Sequence, residues 1–352
     1  MRVLGVALKN FRNFDDKVVH FSKDVTVLVG DNGTGKTNIL ESINLLATGK
    51  SFKAKVEREM IKHDAELARV QGKVVDSQDE EIRLEVMLTR GFVNTKSSNP
   101  DKAPKKRLLV NRVAKRLVDF AGNLKTVFFG PGDLSLVTSS PSSRRRFLNN
   151  VLFQVDREYR RSILSYEKGL RQRNKLLFKI RESGGARSQL HFWDKLLIKN
   201  GDYIAKKREE VIDFINSQKS INGENFEIVY DKSAISESRL EKFERQEVAA
   251  ATTLVGPHRD DFIFKLNGRE LASFGSRGEA RMGILWIKIA EVEFVRERAG
   301  EYPTLLLDDI FSELDHEHRE VVMEVAARQQ TIITTADPHF VIRQKGSEVI
   351  EL

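Results

Sequence analysis

The chain has 352 residues, of which 40% are hydrophobic and 31% charged, so it can bury a substantial core and form two lobes. It contains no cysteine, which excludes disulfides, cysteine zinc sites and a cysteine nucleophile and fits a reducing cytoplasm. The formal net charge of +8 favours a polyanionic partner, and from the sequence we expect neither a signal peptide nor a membrane span.

The first informative segment, residues 29–40, reads VGDNGTGKTNIL. It follows a short β-branched run typical of a buried strand and leads into apolar residues at helical spacing. Strand, glycine loop and helix are the context in which G-x-x-x-x-G-K-[ST] becomes a phosphate-binding P-loop, although a chance glycine turn is the alternative. The predicted nucleotide-binding residues are Gly30, Asp31, Asn32, Gly33, Thr34, Gly35, Lys36 and Thr37.

The chemistry of this loop follows from its residue types. Glycines lack a Cβ and adopt positive φ, so backbone N–H groups can turn inward around phosphate oxygens, and the following helix adds its positive dipole end. Lys36 is expected to contact the β- and γ-phosphates of ATP, and the Thr37 hydroxyl to ligate Mg²⁺.

The middle of the chain differs in character from its two ends. Short strand-like segments fill the first part, and a lysine-rich segment around residues 94–107 indicates an exposed hairpin or loop. From about 143 to 219 the chain is rich in charge and helix formers, split by Gly184 and Gly185 into two long helices. Strand-like segments then return, so we predict an α/β protein. Its lobe I would comprise residues 1–130 and 250–352, and its mainly helical lobe II residues 131–249.

A second nucleotide-site segment, PTLLLDDIFSELD, occupies residues 303–315. An apolar strand ends there in two aspartates, and a carboxylate at the carboxyl end of such a strand can face a P-loop across the sheet. We expect Asp308 to hold Mg²⁺ and Asp309 to orient or deprotonate the attacking water. An ordinary strand end with a polar turn is the alternative.

Residues 274–279, FGSRGE, precede a helix with apolar residues every three to four positions. A serine-glycine loop at a helix start can bind phosphate, although Ser276 could simply be an N-cap. Two phosphate-binding helix starts in one chain are the arrangement of ABC-type ATPases, in which two protomers enclose two ATP molecules.

Several segments together resemble the RecF family of bacterial DNA repair and replication-recovery ATPases, which are relatives of the SMC proteins. The resemblance implies an ABC-type ATPase head with a mixed β-sheet lobe I, a helical lobe II and no long coiled coil. It further implies an ATP-dependent homodimer on gapped, single-stranded or junction DNA, weak DNA-stimulated hydrolysis, and action with RecR in recombinase loading and the SOS response. The matching segments are LKNFRNF, GDNGTGKTNILESI, SPSSRRRFLN, TLVGPHRDDF, SRGEAR and LLLDDIFSELD.

Further roles come from this resemblance alone. Arg12 and Asn13 would lie near the nucleotide, and Ser312 to Asp315 would form the D-loop at the dimer interface. The signature that contacts the partner's ATP would be Ser276, Arg277, Gly278 and Glu279.

The sequence also departs from the family pattern. Glu279 replaces a glutamine common in relatives, and Gly132 stands where a glutamate is usual, with no Q-loop glutamine there. No histidine directly follows the strand TIITT, and His339 lies two residues beyond Asp337, so the γ-phosphate sensor is left open.

Basic residues suggest where DNA would bind. They cluster at a helix start and in the hairpin region, and the few aromatics nearby favour contacts to phosphate over base stacking. A solvated charged face is the alternative. For the segment at 258–261 we expect a structural or interface role. The predicted DNA contacts are Arg144, Arg145, Arg146, Lys105, Lys106 and Arg107.

Two other functions use a P-loop. A transporter-associated ATPase would need a switch histidine, a Q-loop glutamine and an apolar coupling surface, which the sequence does not place. A small-molecule kinase would leave the SRGE segment and the D-loop without a role. We therefore expect an ATP-dependent DNA-binding protein with no membrane contact.

Overall fold

The structure is a computed structural model that describes residues 1–93, 101–185, 187–221, 223–312, 314–337 and 347–352. The chain forms two compact units, residues 1–133 with 291–352 and residues 134–290. The first junction lies near the predicted boundary at 130/131. The second junction falls at 290/291, whereas the sequence placed it at 249/250.

The secondary structure elements are numbered along the chain. The strands are β1 (Arg2–Phe11), β2 (Phe14–His20), β3 (Val25–Val29), β4 (Leu67–Val75), β5 (Glu81–Thr89), β6 (Phe92–Val93), β7 (Asp101–Lys102), β8 (Lys106–Val110), β9 (Val113–Lys115), β10 (Thr126–Phe129), β11 (Phe226–Asp231), β12 (Asp261–Leu266), β13 (Arg269–Glu270), β14 (Thr304–Asp308), β15 (Thr331–Thr335) and β16 (Glu348–Glu351). The helices are α1 (Lys36–Thr48), α2 (Leu117–Phe120), α3 (Ser135–Thr138), α4 (Pro141–Val155), α5 (Arg157–Ser183), α6 (His191–Asn216), α7 (Glu237–Ala250), α8 (Leu271–Phe274), α9 (Arg277–Ala299) and α10 (His316–Ala326).

The first unit is built from two sheets with α1 packed against both. One sheet is antiparallel in the order β2-β1-β4-β5-β8-β9, and the other is parallel in the order β10-β14-β15-β3-β16. Ile39, Leu40, Ile43 and Leu46 of α1 are fully buried in a core that takes residues from both sheets. Burial of these aliphatic side chains stabilises the helix that carries the phosphate-binding loop.

Parallel pairing fixes which loops share an edge of the sheet. β15 pairs with β3 on one side and with β14 on the other, in a register that sets Asp308 opposite Thr334 and Thr334 opposite Leu28. Because carboxyl ends of parallel strands meet at one edge, the P-loop after β3 and the aspartates after β14 lie side by side.

The second unit contains the long helices and a small antiparallel sheet. α5 and α6 pack against each other, and Gly169 allows the approach, since a Cβ there would lie 2.6 Å from Leu196. α4 is a separate helix because Asp156 caps the start of α5, accepting a hydrogen bond from the Tyr159 amide at 2.8 Å.

The small sheet also explains the position of the second junction. β12 pairs with β11 along its whole length, from Phe226 opposite Leu266 to Asp231 opposite Asp261. This pairing ties residues 250–290 to the helical unit, a long-range contact that the sequence pattern did not reveal. Within the described ranges, none of the helices combines the length and the hydropathy needed to cross a bilayer.

Candidate nucleotide site

The loop between β3 and α1 has the backbone expected of a phosphate cradle. Gly33 has φ +92° and Gly35 has φ +109°, values that side-chain-bearing residues rarely adopt. A Cβ on Gly35 would lie 2.5 Å from the Phe14 ring and 2.8 Å from the Asn13 amide. Position 35 therefore requires glycine for two reasons: its φ is positive, and the residues after β1 lie too close to leave room for a side chain.

Lys36 lies across this loop. Its side chain is buried, and its ammonium donates hydrogen bonds to the carbonyl oxygens of Gly30 at 2.5 Å and Asp31 at 2.9 Å. Thr34 also donates to the Asp31 carbonyl, at 3.0 Å. The Lys36 ammonium is thus held within the loop. When a nucleotide binds, the ammonium can donate its hydrogen bonds to phosphate oxygens instead of to these carbonyls.

Thr37 and Asp308 meet directly. The Thr37 hydroxyl lies 2.8 Å and 3.0 Å from the two carboxylate oxygens of Asp308, which also accepts a hydrogen bond from Thr334 Oγ1 at 2.7 Å. In the part of the chain that the structure describes, no group of three or more acidic or histidine side chains could hold a metal alone. One hydroxyl and one carboxylate nevertheless fit Mg²⁺, which binds few protein oxygens and completes its shell with phosphate and water.

Asp309 follows in an unusual conformation. Its φ is +48°, and its amide donates to the carbonyl oxygen and to Oγ1 of Thr334, both at 3.1 Å. Thr334 is fully buried, so one hydroxyl fixes both aspartates of the strand end. Thr334 was not among the site residues predicted from the sequence. The two threonines that end TIITT on the neighbouring strand were the available signal.

Arg12 and Asn13 have different contacts. Asn13 donates to the Thr34 carbonyl at 3.0 Å and accepts from the Asn38 side chain at 2.9 Å, which places it against the loop. Arg12 instead forms two hydrogen bonds with the fully buried carboxylate of Glu41, at 2.6 Å and 2.7 Å. The Arg12 charge therefore compensates a buried anion in the second turn of α1.

The predicted signature lies in the second unit, at the start of α9. The Ser276 amide donates to Glu279 Oε2 at 2.6 Å, and the Glu279 amide donates to Ser276 Oγ at 3.2 Å, forming a capping box. These hydrogen bonds lower the pKa of Glu279. Ser276, Arg277 and Gly278 are exposed and Glu279 is half-buried, and a Cβ on Gly278 would meet only Ser276 Oγ, at 3.9 Å. The N-cap alternative is thus present, while the fold gives no reason for glycine at 278.

The predicted D-loop follows Asp309. Ser312 Oγ donates to the Asp309 carbonyl at 2.8 Å, and Asp315 caps α10 by accepting from the His318 amide at 3.0 Å. Residue 313 of this loop lies outside the described residues, as does His339.

The predicted DNA contacts divide into two groups. Arg144 forms a bidentate ion pair with Asp261 at 2.6 Å and 2.8 Å, and Arg145 donates to the Asp260 carbonyl at 2.7 Å. Lys106 pairs with Glu57. The side chains of these three residues serve contacts inside the protein. The predicted contacts that are exposed are Arg146, Lys105 and Arg107.

The segment at 258–261 is part of a buried polar network. His258 contacts the Tyr166 hydroxyl through Nδ1 at 2.8 Å and the Thr253 carbonyl through Nε2 at 3.0 Å. Burial lowers the pKa of His258 to about 4. Asp260 is fully buried and pairs with Arg208 at 2.7 Å. These contacts agree with the structural role expected for this segment.

Comparison with known proteins gives consistent results along the whole chain. The RecF/RecN/SMC N terminal domain matches residues 3–350. The DNA replication and repair protein RecF of Lachnoclostridium phytofermentans is 36% identical over 95% of this chain and 92% of its own length. RecF of Herpetosiphon aurantiacus is also 36% identical, over 96% and 94%.

Solved structures agree. The recombination mediator protein RecF-ATPrS in the RecFOR pathway superposes with a TM-score of 0.88 at 30% identity, covering 100% of this chain and 96% of that one. A Pyrococcus furiosus Smc head domain, at 15% identity and a TM-score of 0.52, shares the fold. The described part of the chain is thus an ABC-type ATPase head without a long coiled coil. By identity, coverage and structure, it belongs to the RecF family.

Proposed function

We propose that this chain is an ATP-dependent DNA-binding protein of recombinational DNA repair and replication recovery. The observation that carries the proposal is the direct hydrogen bond between Thr37 and Asp308, which are 271 residues apart. It joins the glycine loop and the strand-end aspartates into one site with the residues that a nucleotide and Mg²⁺ require. The names of the relatives, DNA replication and repair proteins, support the same assignment.

The residues of the site have separable tasks. The loop amides and the Lys36 ammonium bind and orient the phosphates, and Thr37 and Asp308 provide oxygen ligands for Mg²⁺. Asp309 accepts the proton of the attacking water at its carboxylate, and Thr334 holds both aspartates in place. When bound, ATP with Mg²⁺ supplies the phosphoanhydride bond whose hydrolysis resets the protein.

The signature is the surface that we propose for dimerisation. Ser276 and Gly278 begin a helix whose N-terminal end faces solvent, and Gly278 keeps that end free of a side chain. Nearby Phe274 is 77% exposed and would be covered if this surface met a partner. Each protomer would present this surface to the nucleotide bound by its partner, so that ATP binding drives a homodimer.

DNA and RecR are the proposed macromolecular partners. The net charge of +8 and the exposed cations Arg146, Lys105 and Arg107 suit phosphate contacts with gapped, single-stranded or junction DNA. Weak, DNA-stimulated hydrolysis would then time the release of the dimer. Recombinase loading with RecR and the SOS response are the cellular processes we assign to it, in the cytoplasm.

A substitution at the signature tests the dimer. Ser276→Arg places a bulky side chain at the proposed contact with the partner's nucleotide. Ser236→Arg is the matched control because Ser236 caps α7 in the same unit, with the same 3.2 Å hydrogen bond from the amide three residues later. Both variants lose about 1 kcal/mol of capping energy.

Sedimentation velocity with ATP, with and without gapped DNA, separates the two variants. We expect Ser236→Arg to dimerise like the unmodified protein, and Ser276→Arg to bind ATP and remain a monomer. ATP-dependent dimerisation of Ser276→Arg at the unmodified affinity would overturn the proposal.

A further inference from the structure

The six-stranded antiparallel sheet of the first unit has a groove on its outer face, away from the core. The cavity has a volume of about 630 Å³. Leu4, Val18, Met87 and Leu109 contribute aliphatic surface to it. It shares no residue with the nucleotide site described above.

An aliphatic outer face is unusual for such a sheet. Antiparallel sheets that pack one face on a core normally present polar residues on the other. Here Val18 is 54% exposed and Leu4 37% exposed. Between β2 and β4 lies Ala7, opposite Val18 on one side and Gln71 on the other, and this small side chain makes the face concave.

The groove is also positively charged. Among the described residues, four cationic side chains line it and two carboxylates pair with them: Glu85 in the lining, and Glu81, which lies 3.7 Å from Lys73 and 3.2 Å from Arg83. Two positive charges are therefore in excess. Glu85 is already neutralised, because it accepts two hydrogen bonds from Arg69, at 2.6 Å and 3.0 Å, and one from Gln71 at 2.9 Å. The lining cations are Arg69, Lys73, Arg83 and Arg112.

The dimensions suit a peptide. The groove crosses the sheet from β2 to β8, which is four strand spacings or about 19 Å. At about 3.3 Å per residue, an extended segment of about six residues would span it. Such a segment points alternate side chains to opposite sides, so apolar residues could face the floor while carboxylates reach the cations.

We propose that this groove binds an extended acidic segment of a partner protein, with apolar residues for the aliphatic floor and carboxylates for the surrounding cations. Nucleic acid is the less suitable occupant. Its phosphates would leave Leu4, Val18, Met87 and Leu109 without apolar partners, and aliphatic side chains offer no flat ring for base stacking.

Selection from a phage-displayed library of random twelve-residue peptides tests the proposal on the full chain. Val18→Glu adds a charge that repels acidic peptides and removes an apolar contact. Val113→Glu is the matched control, since Val113 is 57% exposed and also lies on an edge strand. Val113 pairs with Val110, the residue after Leu109, and so faces away from the groove.

We expect the selected peptides to be enriched in Asp and Glu together with Leu, Ile or Phe. Synthetic copies should lose about tenfold or more in affinity for Val18→Glu and keep their affinity for Val113→Glu, as measured by fluorescence anisotropy. Peptides without acidic bias, or with equal affinity for both variants, would overturn the proposal. So would a loss of affinity for duplex DNA in Val18→Glu alone, because the groove would then be a DNA surface.

Discussion

We propose that two helix starts in this protein bind phosphate, and they are built in opposite ways. At α1, Lys36 is buried and its ammonium is held by two carbonyls, while Thr37 is tied to an aspartate from a distant strand. At α9, Ser276 is exposed and Glu279 is half-buried, and the two satisfy each other through a capping box. The start of α1 therefore belongs to a site formed within one chain, whereas the start of α9 lies at the protein surface.

The two helix starts differ in what each would contribute to the free energy of phosphate binding. The α1 loop is preorganised, so little conformational freedom remains to be lost when a nucleotide arrives. The α9 start is capped without any ligand, and in the proposed dimer it would gain a phosphate contact from the partner's nucleotide. Substitutions in the two units can test this contrast.

Removing the Lys36 charge should disable the α1 site. For Lys36→Met we expect ATP affinity to fall about 100-fold, because charge-assisted hydrogen bonds contribute up to about 3 kcal/mol. Titration of a fluorescent ATP analogue measures the change, and Lys23→Met, at an exposed lysine, is the control. A Lys36→Met variant that binds ATP with unchanged affinity would show that the loop is not the phosphate site.

Thr334→Val tests the positioning of the two aspartates. The substitution keeps the volume but removes the hydroxyl that donates to Asp308 and accepts from the Asp309 amide. We expect kcat for ATP hydrolysis to fall about tenfold or more and the Mg²⁺ requirement to rise, with little change in ATP affinity.

Thr334→Ser, which restores the hydroxyl, should recover most of the rate. A merely structural role for Thr334 would leave the Mg²⁺ titration of the valine variant unchanged.

The second unit should lose stability in mild acid. Its His258 has a pKa lowered by burial from 6.5 to about 4, so between these values the unfolded chain binds a proton that the folded chain does not. The stability from neutral His258 is present above pH 6.5 and is lost as the pH falls toward 4. From pH 7.5 to 5.5 this loss is about 1 kcal/mol.

Denaturant unfolding at the two pH values measures this loss. The drop should be smaller by that amount in His258→Gln, and unchanged in His63→Gln, where the side chain is exposed. Equal drops in all three proteins would rule out His258 as the source.

The smallest effect concerns Gly278. Because a Cβ there meets only Ser276 Oγ, Gly278→Ala should stabilise the helix start by about 0.5–1 kcal/mol. The same methyl group should weaken ATP-dependent dimerisation, since it would occupy the approach of the partner's phosphates. Thermal melting and sedimentation velocity measure the two effects. If Gly278→Ala is stabilised and dimerises normally, the signature does not lie at the dimer interface.

The nucleotide half of the site was predictable from sequence because its geometry is local or follows from sheet topology. A glycine loop between strand and helix sets the backbone of the P-loop within a few residues. Parallel strands then bring Asp308 to the same edge without any need to know side-chain contacts.

Other contacts were not predictable because they depend on tertiary structure. Arg12 meets Glu41, which lies 29 residues later, and nothing in either segment indicates the pair. Arg144, Arg145 and Arg146 are consecutive, yet successive helical residues point about 100° apart, so only Arg146 is exposed. A run of basic residues can indicate a helix start, but it does not show which of those residues are exposed to solvent.

The carboxylate of Glu279 also affects which anions can approach the start of α9. It already accepts a hydrogen bond from the Ser276 amide at the start of α9, and like any glutamate it is ionised at neutral pH, so inorganic phosphate and other small anions would meet repulsion there. A glutamine at this position would carry no such charge. If the signature contacts the partner's nucleotide as proposed, free cellular anions would be poor triggers of association, and the surface would favour a polyphosphate delivered with its own metal ion.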